Sequence, residues 1–160
     1  YNIPKATGCS LDPELVSRLA DIENIQAIKD SSGELERLQA YAKITEEKDF
    51  QLLVGSDSKI SYAYKLGASG AVAGTSNVIV DVLVNLDKAL RNNDEELANK
   101  LQKDIDVLRG VLKLGTVPSV MKRATELAGI AEIGPARKPV QELSKEDDEK
   151  IKEMLTYYQL

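Results

Sequence analysis

The sequence predicts an α/β fold, a parallel sheet with crossover helices that gives way to an all-helical stretch. Three observations predict it. Strand-like and helix-like patterns alternate three times between residues 25 and 91. Each strand-like run is separated from the next by a helical pattern, as parallel neighbours require. No strand-like run is evident after Asn77, and helical periodicity alone continues from about residue 93.

Leu11-Asp12-Pro13-Glu14 reads as a helix start. Asp12 suits the N-cap, Pro13 the first helical position and Glu14 the positive end of the helix dipole. Leu11 and Val16 stand at hydrophobic-staple positions. The helix is predicted to run to Ala20, with Leu15, Val16 and Leu19 facing inward. Ile25-Gln26-Ala27-Ile28-Lys29 then reads as a short buried strand ending in a lysine. The polar, glycine-closed turn Asp30-Ser31-Ser32-Gly33 follows, with Ser31 three residues before Glu34 in capping-box spacing. Leu35, Leu38 and Ala42 form one face of the next helix. Phe50 to Val54 is the second strand, ended by Gly55, and Ser58 to Leu66 is a helix closed by Gly67. Gly70 to Gly74, small residues around Val72, suits a closely packed third strand. Asn77 leads into a helix to about Arg91.

Beyond that point Leu97, Leu101, Ile105, Leu108 and Leu112 recur at three- and four-residue steps, one face of a long helix. Pro118 opens another helix, with Val120, Ala124 and Leu127 on one face and Gly129 closing it. The last helix follows the loop Gly134 to Pro139. Ser144 and Asp147 cap it, and Ile151, Met154, Leu155 and Tyr158 face inward.

Composition narrows the function classes. The 160 residues carry 21 Lys and Arg against 26 Asp and Glu, a net charge of -5. That balance, with no basic stripe interleaved with aromatics, argues against nucleic-acid binding. There is no histidine. Ser-His and Cys-His catalysis and histidine-ligated metal sites are excluded together. Cys9 is the single cysteine and rules out an intramolecular disulfide. No apolar run is long enough to span a membrane, and the first residues lack the apolar core of a signal peptide. The expected location is cytoplasmic.

A lysine at the end of a buried strand is what a carbonyl-condensing enzyme needs. An amine must shed its proton to attack a ketone, and apolar walls penalise a charged form. The other reading of Lys29 is a strand-end lysine that merely reaches water. In an α/β arrangement of parallel strands the chemistry lies at their C-terminal ends. Lys29 ends one strand, Gly55-Ser56-Asp57 the next and Gly74-Thr75-Ser76 the third, with Tyr1 ending the strand before. The stretch Gly70 to Asn77 lacks both GxGxxG spacing and a Walker lysine, so a phosphate loop is not expected there.

Four stretches then stand in order: Tyr1-Asn2-Ile3-Pro4-Lys5-Ala6-Thr7-Gly8, the Lys29 stretch, Val54-Gly55-Ser56-Asp57, and Gly67 to Asn77. Together they resemble the C-terminal half of the dihydrodipicolinate synthase / N-acetylneuraminate lyase family. The resemblance covers nearly the whole chain. It implies the C-terminal part of a TIM (β/α)8 barrel followed by a C-terminal helical appendix. Residues 1–92 would be second-half barrel units and 93–160 a helical region packed on the barrel. About four of the barrel's eight strand–helix units would then lie outside the chain, and a half-barrel by itself need not be active.

The resemblance implies a class I, Schiff-base aldolase or lyase that needs no cofactor beyond a covalent Schiff base with pyruvate or a 2-keto acid. Lys29 would be the nucleophile and Tyr1 the proton carrier. Gly55 would leave room for substrate, Asp57 would contact the aldehyde part, Val72 would turn its carbonyl to the pyruvate pocket, and Ser31 would lie near the substrate. Plainer readings stand beside these: Tyr1 as a terminal aromatic, Asp57 as a helix N-cap and Ser31 as a cap. Members that make dihydrodipicolinate carry an arginine where this chain has Ala6, and an alanine cannot pair with a carboxylate. The Ala6-Thr7-Gly8 and Ala73 to Asn77 forms look more like 2-keto-3-deoxygluconate aldolases. The family's carboxylate-binding threonine pair falls before Tyr1. The expected function is cleavage or formation of a 2-keto-3-deoxy sugar acid. The alternatives are dihydrodipicolinate synthase of lysine biosynthesis and a non-catalytic half-barrel binding module. The expected partners are a small-molecule 2-keto acid, an aldehyde and further copies of the chain in a homo-oligomer, a homotetramer in this family. Neither nucleic acid nor a membrane is expected.

Overall fold

The computed structural model describes residues Tyr1–Leu160. The chain forms two compact units, Tyr1–Ala73 and Gly74–Leu160. In chain order the first holds α1 (Pro4–Thr7), α2 (Pro13–Leu19), β1 (Ala27–Asp30), α3 (Leu35–Glu47), β2 (Gln51–Val54), α4 (Ile60–Lys65) and β3 (Gly70–Ala71). The second holds α5 (Val80–Arg91), α6 (Glu95–Val111), α7 (Val117–Leu127) and α8 (Lys145–Tyr157).

The three strands make one parallel sheet in the order β1-β2-β3. Lys29 pairs with Leu53, and Leu53 with Gly70. Because side chains alternate along a strand, each strand has a covered and an open face. Ile28, Asp30, Leu52 and Val54 are buried on one face, and Ala27, Lys29, Gln51 and Leu53 lie on the other. The helix α3 buries Leu38, Tyr41, Ala42 and Ile44. Full burial of a side chain such as Leu38 contributes about 1.5–3 kcal/mol.

Several local expectations shift. Asp12 stands at the N-cap of α2, but its side chain makes no cap bond, and only Val16 of the expected inward face is buried. Leu15 is exposed, as are Leu35 on α3 and Leu97 on α6. Each of these leucines satisfies helical spacing, but spacing alone does not say which flank of a helix meets a neighbour. The third strand is trimmed to Gly70 and Ala71, and the predicted helix over 58–66 begins as a 3-10 turn, Asp57–Lys59.

In the second unit, α5 and α6 form a helical hairpin. Asn93 takes the left-handed conformation at the turn, and the Asp94 carboxylate caps α6 by accepting from the Leu97 N–H at 3.0 Å. On α6 the inward face is Ala98, Leu101, Ile105 and Leu108. The Ser144–Asp147 capping box at the start of α8 is present in both directions. Ile151, Met154 and Leu155 are buried below it. The Tyr158 hydroxyl donates to the Asp104 carbonyl and accepts from the Leu108 N–H at 3.0 Å. Burial pushes this phenol up to about 12. No helix of the chain is long and apolar enough to cross a membrane.

Arg123 of α7 forks onto Asp148 of α8, with Nε and Nη2 at 2.7 and 2.6 Å from its two carboxylate oxygens. This pairing holds the Asp148 carboxyl below its ordinary value, while burial opposes it. A carboxyl lowered in the folded state stabilises the fold above its unfolded value and loses that contribution as pH falls through the folded one. We therefore expect the urea midpoint to fall below about pH 4, and Asp148→Asn to remove about 1 kcal/mol at pH 7 and flatten part of the acid limb. Urea titrations of both proteins between pH 7 and pH 3 check this. An acid limb unchanged by the substitution would contradict it.

Candidate active site

The strand β1 ends at Asp30, one residue beyond Lys29. Gly55 closes the ladder there, its N–H donating to the Asp30 carbonyl at 2.7 Å. On the other edge of β1 the N-terminal segment joins in parallel. The Asn2 N–H donates to the Lys29 carbonyl and the Ser31 N–H donates to the Asn2 carbonyl, both at 2.9 Å. Asn2 thus sits opposite Asp30. Alternation sends Asn2 and Asp30 to the covered face and leaves Tyr1 and Lys29 together on the open one.

On that open face the Lys29 Nζ lies 4.4 Å from the centre of the Tyr1 ring. This is within the range in which an ammonium is attracted to an aromatic face. The Tyr1 hydroxyl is 3.1 Å from the Ser31 Oγ. Gly55 completes the group by what it lacks. A Cβ there would fall 2.0 Å from the Ser31 Oγ and 2.6 Å from the Lys29 Cε. Tyr1, Lys29, Ser31 and Gly55 are therefore brought together. Asp57 and Val72 follow the C-terminal ends of β2 and β3, so the parallel sheet puts them at the same end as Lys29. Asp57 is buried, and Val72 is exposed with its N–H on the Val54 carbonyl at 2.9 Å.

One plain reading gives way. Ser31 does not cap α3: the N-cap residue is Glu34, and the Ser31 hydroxyl faces Tyr1 instead. At the next element Ser56 stands at the N-cap position, and Asp57 begins the 3-10 turn.

Sequence reasoning missed the layer beneath. Asn2 and Asp30 are 1% and 0% exposed. The Asn2 Nδ2 donates to the Asp30 Oδ1 at 2.6 Å, and the Ser32 hydroxyl donates to Oδ2 at 2.8 Å. Ser32 also accepts from the Glu34 N–H at 3.2 Å, the bond expected of Ser31. The Asn2 Oδ1 accepts from the Leu11 N–H at 3.0 Å. The Leu11 carbonyl takes the Tyr41 hydroxyl at 2.5 Å and Arg37 at 3.0 Å. Burial raises the Tyr41 phenol, with Arg37 opposing and Asp30 adding to the rise. The signal was available: an acid two residues after Ile28 falls on the buried face and needs a buried donor.

Residues 1–158 match the model of the dihydrodipicolinate synthetase family. The chain belongs to that family, a family of α/β barrel enzymes. A 4-hydroxy-tetrahydrodipicolinate synthase of Archaeoglobus fulgidus is 36% identical over 160 residues, covering 100% of this chain and 55% of that protein. The crystal structure of dihydrodipicolinate synthase from Aquifex aeolicus is 31% identical with a TM-score of 0.91, covering 100% of this chain and 54% of that one. YagE of E. coli, a prophage protein of the same family solved with pyruvate, is 29% identical with a TM-score of 0.91, covering 100% and 55%. The chain spans about half the length of the curated relatives it matches.

The packing at Gly55 yields a test of the site. In Gly55→Ala the added methyl must push the Ser31 hydroxyl away from Tyr1 and the Lys29 stem aside. Those side chains can turn away, but the Asp30 carbonyl at 3.2 Å from the added carbon must also give slightly, so the fold is expected to lose about 1–3 kcal/mol, the range for overpacking. The rate at which Lys29 forms an imine with a small carbonyl probe is expected to fall at least about tenfold. Urea unfolding and borohydride reduction followed by peptide mass analysis measure the two effects. An unchanged imine rate would mean that the site has more room than described.

Proposed function

We propose that the protein is a Schiff-base-forming, pyruvate-dependent aldolase or lyase that cleaves or forms a 2-keto-3-deoxy sugar acid. The observation that carries the reading is the amine of Lys29 under the Tyr1 ring, with the Tyr1 hydroxyl on Ser31. Family membership supports the chemistry. On this reading the chain supplies the second half of a (β/α)8 barrel over 1–92 and a helical region over 93–160. The homo-oligomeric state and cytoplasmic location belong to the same reading.

In the proposed mechanism the Lys29 amine adds to the keto carbon and the carbonyl oxygen takes a proton, giving a carbinolamine. Tyr1 is the group placed to carry protons between the amine and that oxygen. Loss of water leaves an iminium, whose positive nitrogen draws electrons from the adjacent carbon. In the cleavage direction the C3–C4 bond breaks and its electron pair enters the iminium as an enamine. The C4 hydroxyl loses its proton and becomes the aldehyde. Protonation at C3 and addition of water then release pyruvate and free Lys29. Gly55 gives the substrate room beside the amine. Asp57 is assigned to the aldehyde hydroxyls, Ser31 to the Tyr1 hydroxyl and Val72 to the pocket wall through its backbone.

A second reading, 4-hydroxy-tetrahydrodipicolinate synthase, is favoured by the names of the curated relatives. Ala6 weighs against it. It is exposed on α1, four residues after Asn2, and offers no charge to a second carboxylate.

Two experiments follow. The full protein, treated with pyruvate and borohydride, is expected to gain one reduced pyruvate adduct per chain, on Lys29. An adduct on another lysine, or none, would overturn the assignment. For substrate choice, Ala6→Arg is expected to shift preference toward aspartate semialdehyde over glyceraldehyde. A bidentate pair contributes about 1.5–3 kcal/mol, roughly ten- to a hundredfold in relative rate. If the unmodified enzyme already condenses pyruvate far better with aspartate semialdehyde, the second reading is correct.

A further inference from the structure

The covered face of the sheet holds a polar contact that the proposed chemistry does not use. Asn2 and Asp30 touch no open surface, yet they lie directly behind Tyr1 and Lys29. Burying a carboxylate and an amide is costly unless each finds partners. Here both do. Asp30 accepts from Asn2 and Ser32, and Asn2 spends its other end on the Leu11 N–H. From α3, Tyr41 and Arg37 brace the same Leu11 peptide through its carbonyl. The titratable and charged groups facing the contact are thus Asp30 itself and, across the Leu11 peptide, Tyr41 and Arg37.

We propose that the Asn2–Asp30 contact is a positioning element that holds the Tyr1 ring and hydroxyl over the Lys29 amine. The inference rests on the aldolase reading above and deepens it. The path is through the backbone. The N-terminal segment touches β1 by a single bridge with two backbone hydrogen bonds. Such a bridge pairs the segment with β1 at one residue only. The buried side-chain contact adds a second tie at that residue. With Asn2 pinned to the covered face, alternation points Tyr1 to the open one, above the residue that precedes Asp30. Neither Asn2 nor Asp30 touches substrate on this view. They act through Tyr1 and Lys29. A misplacement of about 1 Å at a reacting pair costs about a hundredfold in rate, so the contact is expected to be read in turnover rather than in substrate binding.

The experiment compares the full protein with Asn2→Asp, Asp30→Asn and the double swap. Asn2→Asp sets two carboxylates face to face. The swap restores an amide on a carboxylate with the roles reversed: an aspartate at position 2 still accepts from Leu11, and Ser32 can donate to or accept from the new amide. Asn2→Asp is expected to lower kcat and the rate of borohydride-trapped adduct formation about a hundredfold, with KM within about threefold. The swap is expected to recover kcat to within about fivefold of wild type. If Asn2→Asp does not fold, Asn2→Ser replaces it, with an expected tenfold loss in kcat and the same unchanged KM. A purely structural contact would lower the melting temperature and leave kcat per folded molecule unchanged. That result overturns the proposal, as does a swap that melts like wild type but turns over as slowly as Asn2→Asp. A wild-type protein that traps no pyruvate overturns the aldolase reading and this proposal together, whereas normal trapping in every variant overturns this proposal alone.

Discussion

The first unit depends on one buried hydrogen bond, from the Asn2 amide to the Asp30 carboxylate at 2.6 Å. A carboxylate at 0% exposure is tolerated only with donors on its oxygens. Asn2 and Ser32 supply them, and in doing so they tie three pieces of backbone to the end of β1: the N-terminal segment, the turn into α3 and the loop at Leu11. Remove either partner and the other keeps one bond, to Ser32 or to Leu11, but one of its buried polar atoms is left unpaired, a penalty of about 1–3 kcal/mol before any rearrangement. The contact is therefore costly to break, and its geometry is specific.

That contact divides labour across a very short strand. The four residues of β1 alternate between faces, so Ile28 and Asp30 anchor the strand while Lys29 lies on the open face. β2 repeats the pattern with Leu52 and Val54 buried beside them. Gly55 then spares the space that a side chain would occupy, and the Lys29 stem and Ser31 hydroxyl fill it. On the proposed reading stability and reactivity are carried by adjacent residues on opposite faces, and a one-residue slip in register would exchange them.

The parts of the fold that were legible in the sequence were local. The capping box of Ser144 and Asp147 spans three residues, and the sequence states it in full. The alternation of strand and helix, and the lysine at the end of β1, were read from pattern alone. What stayed hidden depends on residues distant in the chain. Leu15, Leu35 and Leu97 fit helical spacing yet are exposed, because periodicity fixes a face but not where its neighbours end. Ser31 and Ser32 are equally good caps by type. Only the arrival of Tyr1 decides that Ser31 turns to the open face and Ser32 serves the helix. The Asn2–Asp30 partnership, 28 positions apart, could be suspected from a buried acid but not assigned.

On the proposed reading, substrate choice is separate from the Schiff-base chemistry, because position 6 would change the former without touching Lys29. The core of the proposal is the presentation of Tyr1 to Lys29 by a buried lock. The most direct measurement of it is a crystal structure of the full protein grown with pyruvate. The arrangement requires continuous density from the Lys29 Nζ to the former keto carbon, the Tyr1 hydroxyl within hydrogen-bonding distance of the adduct or of Ser31, and Asn2 on Asp30 beneath. Density for pyruvate away from Lys29, or an adduct with Tyr1 turned out and the Asn2–Asp30 bond open, would contradict it.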